Sequence, residues 1–251
     1  MIAPLEFLEE IEAAATAAGF TSTPLGKVES YPIIGLTRPS QQTPPRNFHL
    51  YLSTGVHGDE PAGPLALLEI LKRDLLPREI QISILPLVNP TGFVTQTREN
   101  AQGDDLNREF RTPKNPETLA AKQFIDTLPP FDLSVALHED WESSGFYMYA
   151  VSPSPDDPVF RDILDDTQNS GPIDLAPEID DSPAQDGLIS RPIEGAIESR
   201  EDWPEAFLLY SKNKHIHLTT ETPSSLPIKT RIAMHVTATL SAVKRITARR
   251  F

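Results

Sequence analysis

Apolar positions along this chain form short runs and helical stripes that alternate from one end to the other. Apolar, β-favouring runs predict strands at 48–54, 80–88, 132–138, 147–151 and 215–220. Apolar spacing of three and four residues predicts helices at 64–76, 117–128 and 227–245, and an amphipathic helix near the N-terminus. Residues 89–92 predict a turn. Strands that alternate with helices in this way are typical of an α/β fold with a largely parallel sheet.

A proline-rich, acidic stretch interrupts that alternation at residues 152–194. It holds eleven acidic residues against two basic ones, Arg161 and Arg191, and it contains seven prolines. No separate core is visible in it, so we expect one domain over residues 1–251 with this stretch as a long irregular excursion. Two interpretations stay open for the stretch: a solvated acidic loop, or a wall of the functional site.

The overall composition excludes several classes of function. The formal net charge of −14 disfavours binding to nucleic acid, because such a surface repels phosphates. The chain has no cysteine, which excludes disulfides, thiolate nucleophiles and cysteine-bound metals, so any metal must be held by His, Asp or Glu. No run approaches the ~20 apolar residues of a membrane span. The N-terminal stretch carries several glutamates and lacks the features of a signal peptide, which predicts a cytoplasmic protein without a membrane partner.

Two motifs place possible metal ligands at strand ends. The segment Gly55–Pro61 follows a predicted strand and presents His57 and Glu60 in a glycine-rich turn. His138 ends the predicted strand 132–138. Open α/β sheets bind ligands at the carboxyl ends of their strands, so we expect these side chains to meet there. Two imidazoles and one carboxylate are the usual protein ligands of catalytic zinc. The alternative for His138 is a hydrogen-bonded histidine in the core.

A third motif lies between these two, at residues 98–108. Asn107 and Arg108 offer an amide and a planar guanidinium, a combination that suits capture of a carboxylate terminus. Arg98 would suit polarisation of a carbonyl or stabilisation of a developing oxyanion. The alternative for Arg98 is a surface salt bridge of little consequence.

The fourth motif closes the predicted strand 215–220. At its end, Glu221 would suit removal of a proton from activated water and its transfer to a leaving amine, and the alternative is a solvent-facing carboxylate. His215 and His217 share the same face of the strand and form a competing metal pair. No carboxylate or third histidine is suitably placed near them in the sequence, which disfavours that second site.

This chain resembles the zinc carboxypeptidase family in four segments, which are, in order, GVHGDE, RENAQGDDLNREF, LHED and TTETP. The similarity spans residues 48–225. Within that family, the segments resemble those of carboxypeptidase A and of small murein-peptide amidase-like members. Aspartoacylases and succinylglutamate desuccinylases are relatives of these enzymes. The resemblance implies a three-layer α/β/α sandwich around a twisted mixed, largely parallel sheet.

The resemblance also implies a role for each matching residue. One zinc ion would be held by three ligands: His57, Glu60 and His138. Glu221 would act as general base and acid, and Arg98 would stabilise the tetrahedral intermediate. Asn107 and Arg108 would grip the terminal carboxylate of the substrate. Asp105 would orient His57 from behind, an arrangement common among metal-binding histidines.

Two departures from the family pattern bear on substrate recognition. Glu109 follows the Asn–Arg pair where the family commonly has asparagine, which brings a negative charge near the proposed carboxylate clamp. Carboxypeptidases of the pancreatic type also place a tyrosine upstream of the catalytic glutamate, but residues 194–200 contain none, and Tyr210 lies too close to Glu221 for that role. The resemblance therefore supports zinc hydrolase chemistry more firmly than a preference for a carboxylate terminus.

The sequence thus predicts a zinc-dependent hydrolase, a metallocarboxypeptidase that cleaves the C-terminal amide bond of small peptides. The acidic excess at 152–194, if it lines the cleft, predicts a preference for substrates with a cationic residue near the cut. Two alternatives stay open: an N-acyl-amino-acid deacylase of the aspartoacylase or succinylglutamate desuccinylase type, and a non-catalytic zinc-binding module. The substrate would be a small peptide or an acylated amino acid. The oligomeric state is not predicted.

Overall fold

The centre of the molecule is one mixed β-sheet. The computed structural model describes residues 4–41, 48–190 and 192–249, and within these ranges the sheet has eight strands. The strands of the chain are β1 (Thr21–Val28), β2 (Tyr31–Arg38), β3 (His49–Thr54), β4 (Gln81–Leu85), β5 (Leu133–Asp140), β6 (Tyr147–Val151), β7 (Glu178–Ile179), β8 (Ser182–Pro183), β9 (Leu188–Ser190) and β10 (Ile216–Pro223). Of these, β7 and β8 form a separate two-stranded ribbon.

The strand order of the main sheet is β1-β2-β4-β3-β5-β10-β6-β9. The four central strands β4, β3, β5 and β10 are parallel to one another. The outer strands β2 and β6 run antiparallel to the strands they meet at either side of this central group. Because β3, β5 and β10 are parallel, their carboxyl ends lie at the same edge of the sheet, and this edge carries the predicted site.

Helices cover both faces of the sheet. The helices are α1 (Pro4–Ala17), α2 (Ala62–Lys72), α3 (Pro90–Thr95), α4 (Pro116–Thr127), α5 (Val159–Thr167), α6 (Glu194–Ser199), α7 (Glu205–Asn213) and α8 (Ile228–Ala248). On one face, α1, α2, α5 and α8 enclose a buried apolar cluster that includes Phe7, Phe160 and Met234. On the other face, α4 and α7 cover a second cluster that includes Phe124 and Leu209. The predicted three-layer α/β/α sandwich is confirmed. No helix in the described ranges is long and apolar enough to cross a membrane.

The predicted strands and helices occur where the sequence places them, and several further elements were missed. Strand 147–151 has the predicted bounds, and the other predicted strands and helices shift by a few residues. The missed hairpin of β1 and β2 includes the segment TSTPLGKV, most of which is exposed, so it carries no apolar run. The predicted turn at 89–92 is instead the start of α3, with Asn89 as its N-cap: the Asn89 side chain accepts from the Gly92 N–H at 2.8 Å.

The acidic stretch 152–194 is more regular than the sequence predicts. It contains the helix α5, which packs against α8, and the strand β9, which pairs with β6. The buried residues of α5 form one stripe, and two acidic residues beside it, Asp162 and Asp166, pair with Arg245 of α8 at 3.0 and 2.8 Å. The expectation of an irregular excursion is therefore wrong for these two elements. Arg191, one of the two basic residues of the stretch, lies outside the described residues.

Candidate metal centre

Three predicted ligands meet at the carboxyl edge of the central strands. His57 and Glu60 lie in the loop between β3 and α2, and His138 lies near the end of β5. The His57 Nδ1 is 2.6 Å from Glu60 Oε1, and the His138 Nδ1 is 2.9 Å from Glu60 Oε2. One ligand atom from each of the three residues lies within 4.8 Å of the other two. All three side chains are buried.

The loop that carries two of these ligands is fitted closely against α3. A Cβ atom on Gly58 would lie 1.9 Å from the main-chain carbon of Gly92, so a side chain at this position would displace the loop or the helix. The Gly58 N–H also donates to the carbonyl of Thr97 at 3.0 Å. The glycine between His57 and Glu60 therefore lets the backbone pack tightly enough to aim both side chains at His138.

The electrostatics of this cluster favour positive charge. Burial disfavours the charged imidazole, but the Glu60 carboxylate and the hydrogen bonds to Asp105 and Glu60 outweigh it and raise the pKa of His57 to about 9. Burial likewise disfavours the charged carboxyl of Glu60, but His57 and His138 outweigh it and lower the pKa of Glu60 below its usual range. The carboxylate is thus ionised, and the space between the two Nδ1 atoms suits a cation.

The residues fit a divalent metal ion. Glu60 Oε2 is buried without a hydrogen-bond partner among the described residues, although it lies 2.9 Å from a histidine nitrogen. Two imidazole nitrogens and a carboxylate oxygen form the ligand set that zinc uses in catalytic sites. Both ring nitrogens of His57 face a carboxylate, Nδ1 that of Glu60 at 2.6 Å and Nε2 that of Asp105 at 3.3 Å. With an ion at Nδ1, the Nε2–H would donate to Asp105 and hold the ring in place.

The competing pair, His215 and His217, does not form a metal site. Both rings bond to the Ser134 hydroxyl, at 2.6 and 2.8 Å, and that oxygen separates them. Burial lowers the pKa of each to about 3, so both are neutral. Within the described ranges, His57, Glu60 and His138 are the one group of three or more metal-ligating side chains that comes together.

Arg98 and Asp105 support the centre from outside. The Arg98 Nε donates to Asp105 Oδ2 at 3.1 Å, and its Nη1 lies 3.7 Å from Glu60 Oε1. Burial opposes ionisation of Asp105, but the hydrogen bond and charge of His57, together with the Arg98 guanidinium, lower the pKa of Asp105 below its usual range. Arg98 is therefore held beside the ligands rather than in a remote surface salt bridge.

Glu221 lies next to His138 in the sheet. The parallel register pairs Glu221 of β10 with His138 of β5, and the antiparallel register pairs it with Tyr147 of β6. Burial and the nearby Glu60 carboxylate raise the pKa of Glu221 well above its usual value, although His138 opposes the change. Glu221 lines the same cleft as the three ligands, so it is not a solvent-facing carboxylate on an open surface.

Glu139 and Arg231 brace the metal-site loop from the opposite face of the sheet. Glu139 follows His138, and its side chain points the other way because side chains alternate along a strand. Its Oε1 accepts from the Ala62 N–H at the start of α2 at 2.6 Å, and its Oε2 bonds to Arg231 of α8. One carboxylate thus joins β5, α2 and α8 directly behind the ligands.

Asn107 and Arg108 lie on a 3₁₀ turn, Leu106–Arg108, at the side of the cleft. The Asn107 Oδ1 accepts from the Glu205 N–H at 2.8 Å, which ties this turn to the start of α7. Glu109 does not place its charge on this clamp. It accepts instead from the Asn115 N–H and the Thr118 hydroxyl, at 3.2 and 2.8 Å, and so caps the start of α4.

The cleft above these residues has a volume of about 320 Å³. Its wall also includes residues that the sequence did not single out: Asp140, Trp141, Glu142, Tyr147, Tyr149, Asp180, Arg200 and Glu205. Asp140 ends the segment LHED but was given no role there, and the others lie outside the four segments of the resemblance. Of the acidic residues in 152–194, Asp180 lines the cleft, so most of that charge does not form its wall. Tyr210 is absent from the lining and its hydroxyl donates to Glu194.

Comparison with known proteins links this geometry to metal-dependent hydrolases. The model of the succinylglutamate desuccinylase/aspartoacylase catalytic domain matches residues 47–172. Two Shewanella proteins assigned as metallopeptidases have similar structures. The one from S. denitrificans is 25% identical with a TM-score of 0.81 over 96% of this chain and 89% of that chain. The one from S. baltica is 28% identical with a TM-score of 0.78 over 98% and 92%.

Two carboxypeptidases are also similar to this chain. A metallo-carboxypeptidase from Burkholderia cenocepacia shares the fold at 18% identity, with a TM-score of 0.73 over 98% of this chain and 69% of that chain. Carboxypeptidase SOL1 from Arabidopsis thaliana is 31% identical over an alignment of 137 positions. That match covers 42% of this chain and 27% of the length of the curated relative.

Proposed function

Because the chain belongs to the succinylglutamate desuccinylase/aspartoacylase catalytic-domain family, a family of hydrolases, we propose that it is a zinc-dependent carboxypeptidase that acts on small peptides. One observation carries this proposal: three buried metal-ligating side chains meet beside Glu221 in a cleft that also contains guanidinium groups. The structural similarity to proteins assigned as metallopeptidases supports the peptidase activity over the deacylase activity.

In this proposal the ligands and their neighbours have separate tasks. His57, Glu60 and His138 hold the ion, which when bound supplies Lewis-acid polarisation of a carbonyl and increases the acidity of water. Asp105 keeps the His57 ring oriented through its Nε2–H. Arg98, fixed by Asp105, presents its guanidinium to the negative charge that develops on the carbonyl oxygen in the transition state.

Glu221 is the proton carrier of the proposed reaction. Its raised pKa brings it closer to the range in which a carboxyl both accepts and returns a proton near neutral pH. The carboxylate takes a proton from the attacking water and delivers it to the leaving nitrogen. Its place beside His138 in the sheet register holds it next to the ligands.

The end of the substrate is recognised by the 3₁₀ turn and the loop before α7. Arg108 lines the cleft and offers a planar fork for a carboxylate, and Arg200 lines it as well. Because Glu109 turns toward α4, the clamp is free of the negative charge that its position in the sequence suggested. A free carboxylate at the substrate terminus would therefore meet the Arg108 guanidinium, while the Arg200 guanidinium is paired with Asp202.

The decisive experiment compares Glu221→Gln with the unaltered protein. We expect Glu221→Gln to keep its zinc, measured by metal analysis, and to lose about 1,000-fold or more in kcat on a dipeptide panel, because it cannot take up the proton. Glu9→Gln, an exposed position on α1, is the matched control. The panel includes acetyl-aspartate and succinyl-glutamate, and hydrolysis of these without cleavage of any peptide would favour the deacylase. Bound zinc without hydrolysis of either class would contradict an enzyme.

A further inference from the structure

A large aromatic side chain stands uncovered at the edge of the cleft. Trp141 is 79% exposed, more than any other large apolar side chain in the described residues, of which Leu175 at 67% is next. It directly follows the end of β5, three residues after His138, and it lines the cleft. An indole left in water at the entrance of a binding cleft provides a surface on which a ligand can pack.

The residues on either side of this indole are carboxylates. Asp140 and Glu142 both line the cleft with Trp141. The Asp140 carboxylate is held in place, since it accepts from the Glu142 N–H at 2.8 Å and from the Tyr147 hydroxyl at 3.0 Å. We name Asp140–Glu142 the rim segment. An indole and two carboxylates that line the same cleft together form a favourable environment for a cation.

The guanidinium groups of the cleft belong to a different wall. Arg108 and Arg200 lie on two loops that are joined to each other by main-chain and side-chain bonds: Phe110 N–H to Trp203 carbonyl at 3.1 Å, and Glu205 N–H to Asn107 Oδ1 at 2.8 Å. The rim segment instead continues from β5. The Arg200 guanidinium is paired with the Asp202 carboxylate at 2.7 Å, so Arg108 supplies the cationic group of this wall. Arg108 and the rim segment belong to separate structural units, which assigns the two ends of a bound substrate to different walls.

We propose that the rim segment binds a cationic group on the acyl side of the scissile bond, so that the preferred substrates are short peptides with a basic residue before the cut. This inference rests on the proposed function. The substrate carboxylate is attracted to the wall with Arg108 and repelled by the rim segment, so the leaving residue is oriented away from the rim. The acyl part then faces Trp141. An anionic acyl group, such as a succinyl chain, would meet Asp140 and Glu142 and be disfavoured.

The test uses N-acetylated peptides with one leaving residue and with Lys, Gln or Glu before the cut. We expect kcat/KM to fall in that order, with Lys about tenfold above Gln, and the difference to shrink as salt is raised. In Trp141→Ala and in Glu142→Gln the Lys-to-Gln ratio should fall to about one or two. Leu175→Ala, which removes another exposed apolar side chain outside the cleft, should retain the full ratio.

A binding measurement separates this inference from the proposed function. The chain has two tryptophans, so titration of Glu221→Gln with the Lys peptide should change the tryptophan emission, and the additional substitution Trp141→Phe should remove that change. The Glu peptide should give no change at the same concentration. Peptide hydrolysis without a charge preference before the cut, or with a preference confined to the leaving residue, would overturn the inference and leave the proposed function standing. If no peptide is hydrolysed, the proposed function fails and the titration alone decides whether the rim binds cations.

Discussion

The six histidines of this chain form two groups that differ in their neighbours more than in their depth. The first group, His57 and His138, lies at the strand ends and faces the Glu60 carboxylate. The second group bonds to hydroxyl and carbonyl oxygens inside the sandwich, and its members are His49, His215, His217 and His235. All six are buried.

This comparison shows what distinguishes the candidate metal centre from the core histidines. Burial, together with the charge of neighbouring histidines, lowers the pKa of His215, His217 and His235 to about 3. For His57 the same burial is outweighed by a carboxylate, and its pKa rises to about 9. The paired carboxylate, rather than the low exposure, therefore marks the ligand cluster. The following three substitutions alter one side of the comparison at a time.

Removal of the carboxylate from the first group should have the largest effect. Glu60→Gln removes the carboxylate that both imidazoles face and leaves Asp105 as the negative partner of His57. We expect zinc affinity to fall by more than the 10–100-fold that loss of an outer partner causes, and activity to fall in parallel. Zinc stoichiometry after dialysis and kcat/KM on one peptide measure the two effects. Glu69→Gln on the exposed side of α2 is the control, and full zinc occupancy in Glu60→Gln would contradict the assignment.

Removal of the outer partner should have a smaller effect. Asp105→Asn keeps an oxygen near the His57 Nε2–H but removes the charge, so we expect zinc affinity to fall by roughly 10–100-fold. Competition with a chromophoric chelator gives the dissociation constant directly. Asp126→Asn, which breaks only an exposed pair with Lys122, should leave that constant unchanged. An unchanged constant in Asp105→Asn would show that this carboxylate does not orient the ligand.

The smallest expected effect is that of replacing His215, a neutral core histidine, on the loss of folding stability at low pH. The pKa of His215 is about 3 in the folded state and about 6.5 when unfolded, so the unfolded chain binds a proton first as pH falls. The contribution of neutral His215 to the free energy of unfolding is complete above about pH 6.5 and is lost as pH falls toward 3. The loss between pH 7 and pH 5 is about 2 kcal/mol. His215→Gln should lose about 2 kcal/mol less than the unaltered protein over that interval in urea unfolding. Equal losses would contradict the neutral assignment.

Local patterns in the sequence were sufficient to predict the parts of the fold and of the candidate site that lie at strand ends. His57, Glu60, His138 and Glu221 each follow a buried apolar run, and parallel strands bring such ends to one edge. Their positions could therefore be predicted without knowing the loops. The pairing of Glu221 with His138 adds only the register, which the alternation of buried residues along β10 also supports.

The remaining features depend on contacts that no local pattern contains. Glu109 looked like a charge on the clamp because it follows Arg108, yet its direction is set by the unpaired N–H groups at the start of α4. His215 and His217 looked like a metal pair until Ser134 of a neighbouring strand supplied their partner. Trp141 reaches the cleft because β5 ends beside it. For the two histidines the deciding residue lies 81 and 83 positions away in sequence, and for Glu109 and Trp141 it is the local course of the chain.

The bond from Glu139 to Arg231 has a consequence for the last helix of the chain. Arg231 is 92 residues away from Glu139 in sequence, yet both belong to the support behind the strand end where His138 lies. Through that carboxylate, α8 also restrains the first turn of α2 and hence the short loop with Glu60. The C-terminal helix thus supports the loop that carries Glu60, and loss of the Arg231 contact should loosen that loop although the two are far apart in sequence.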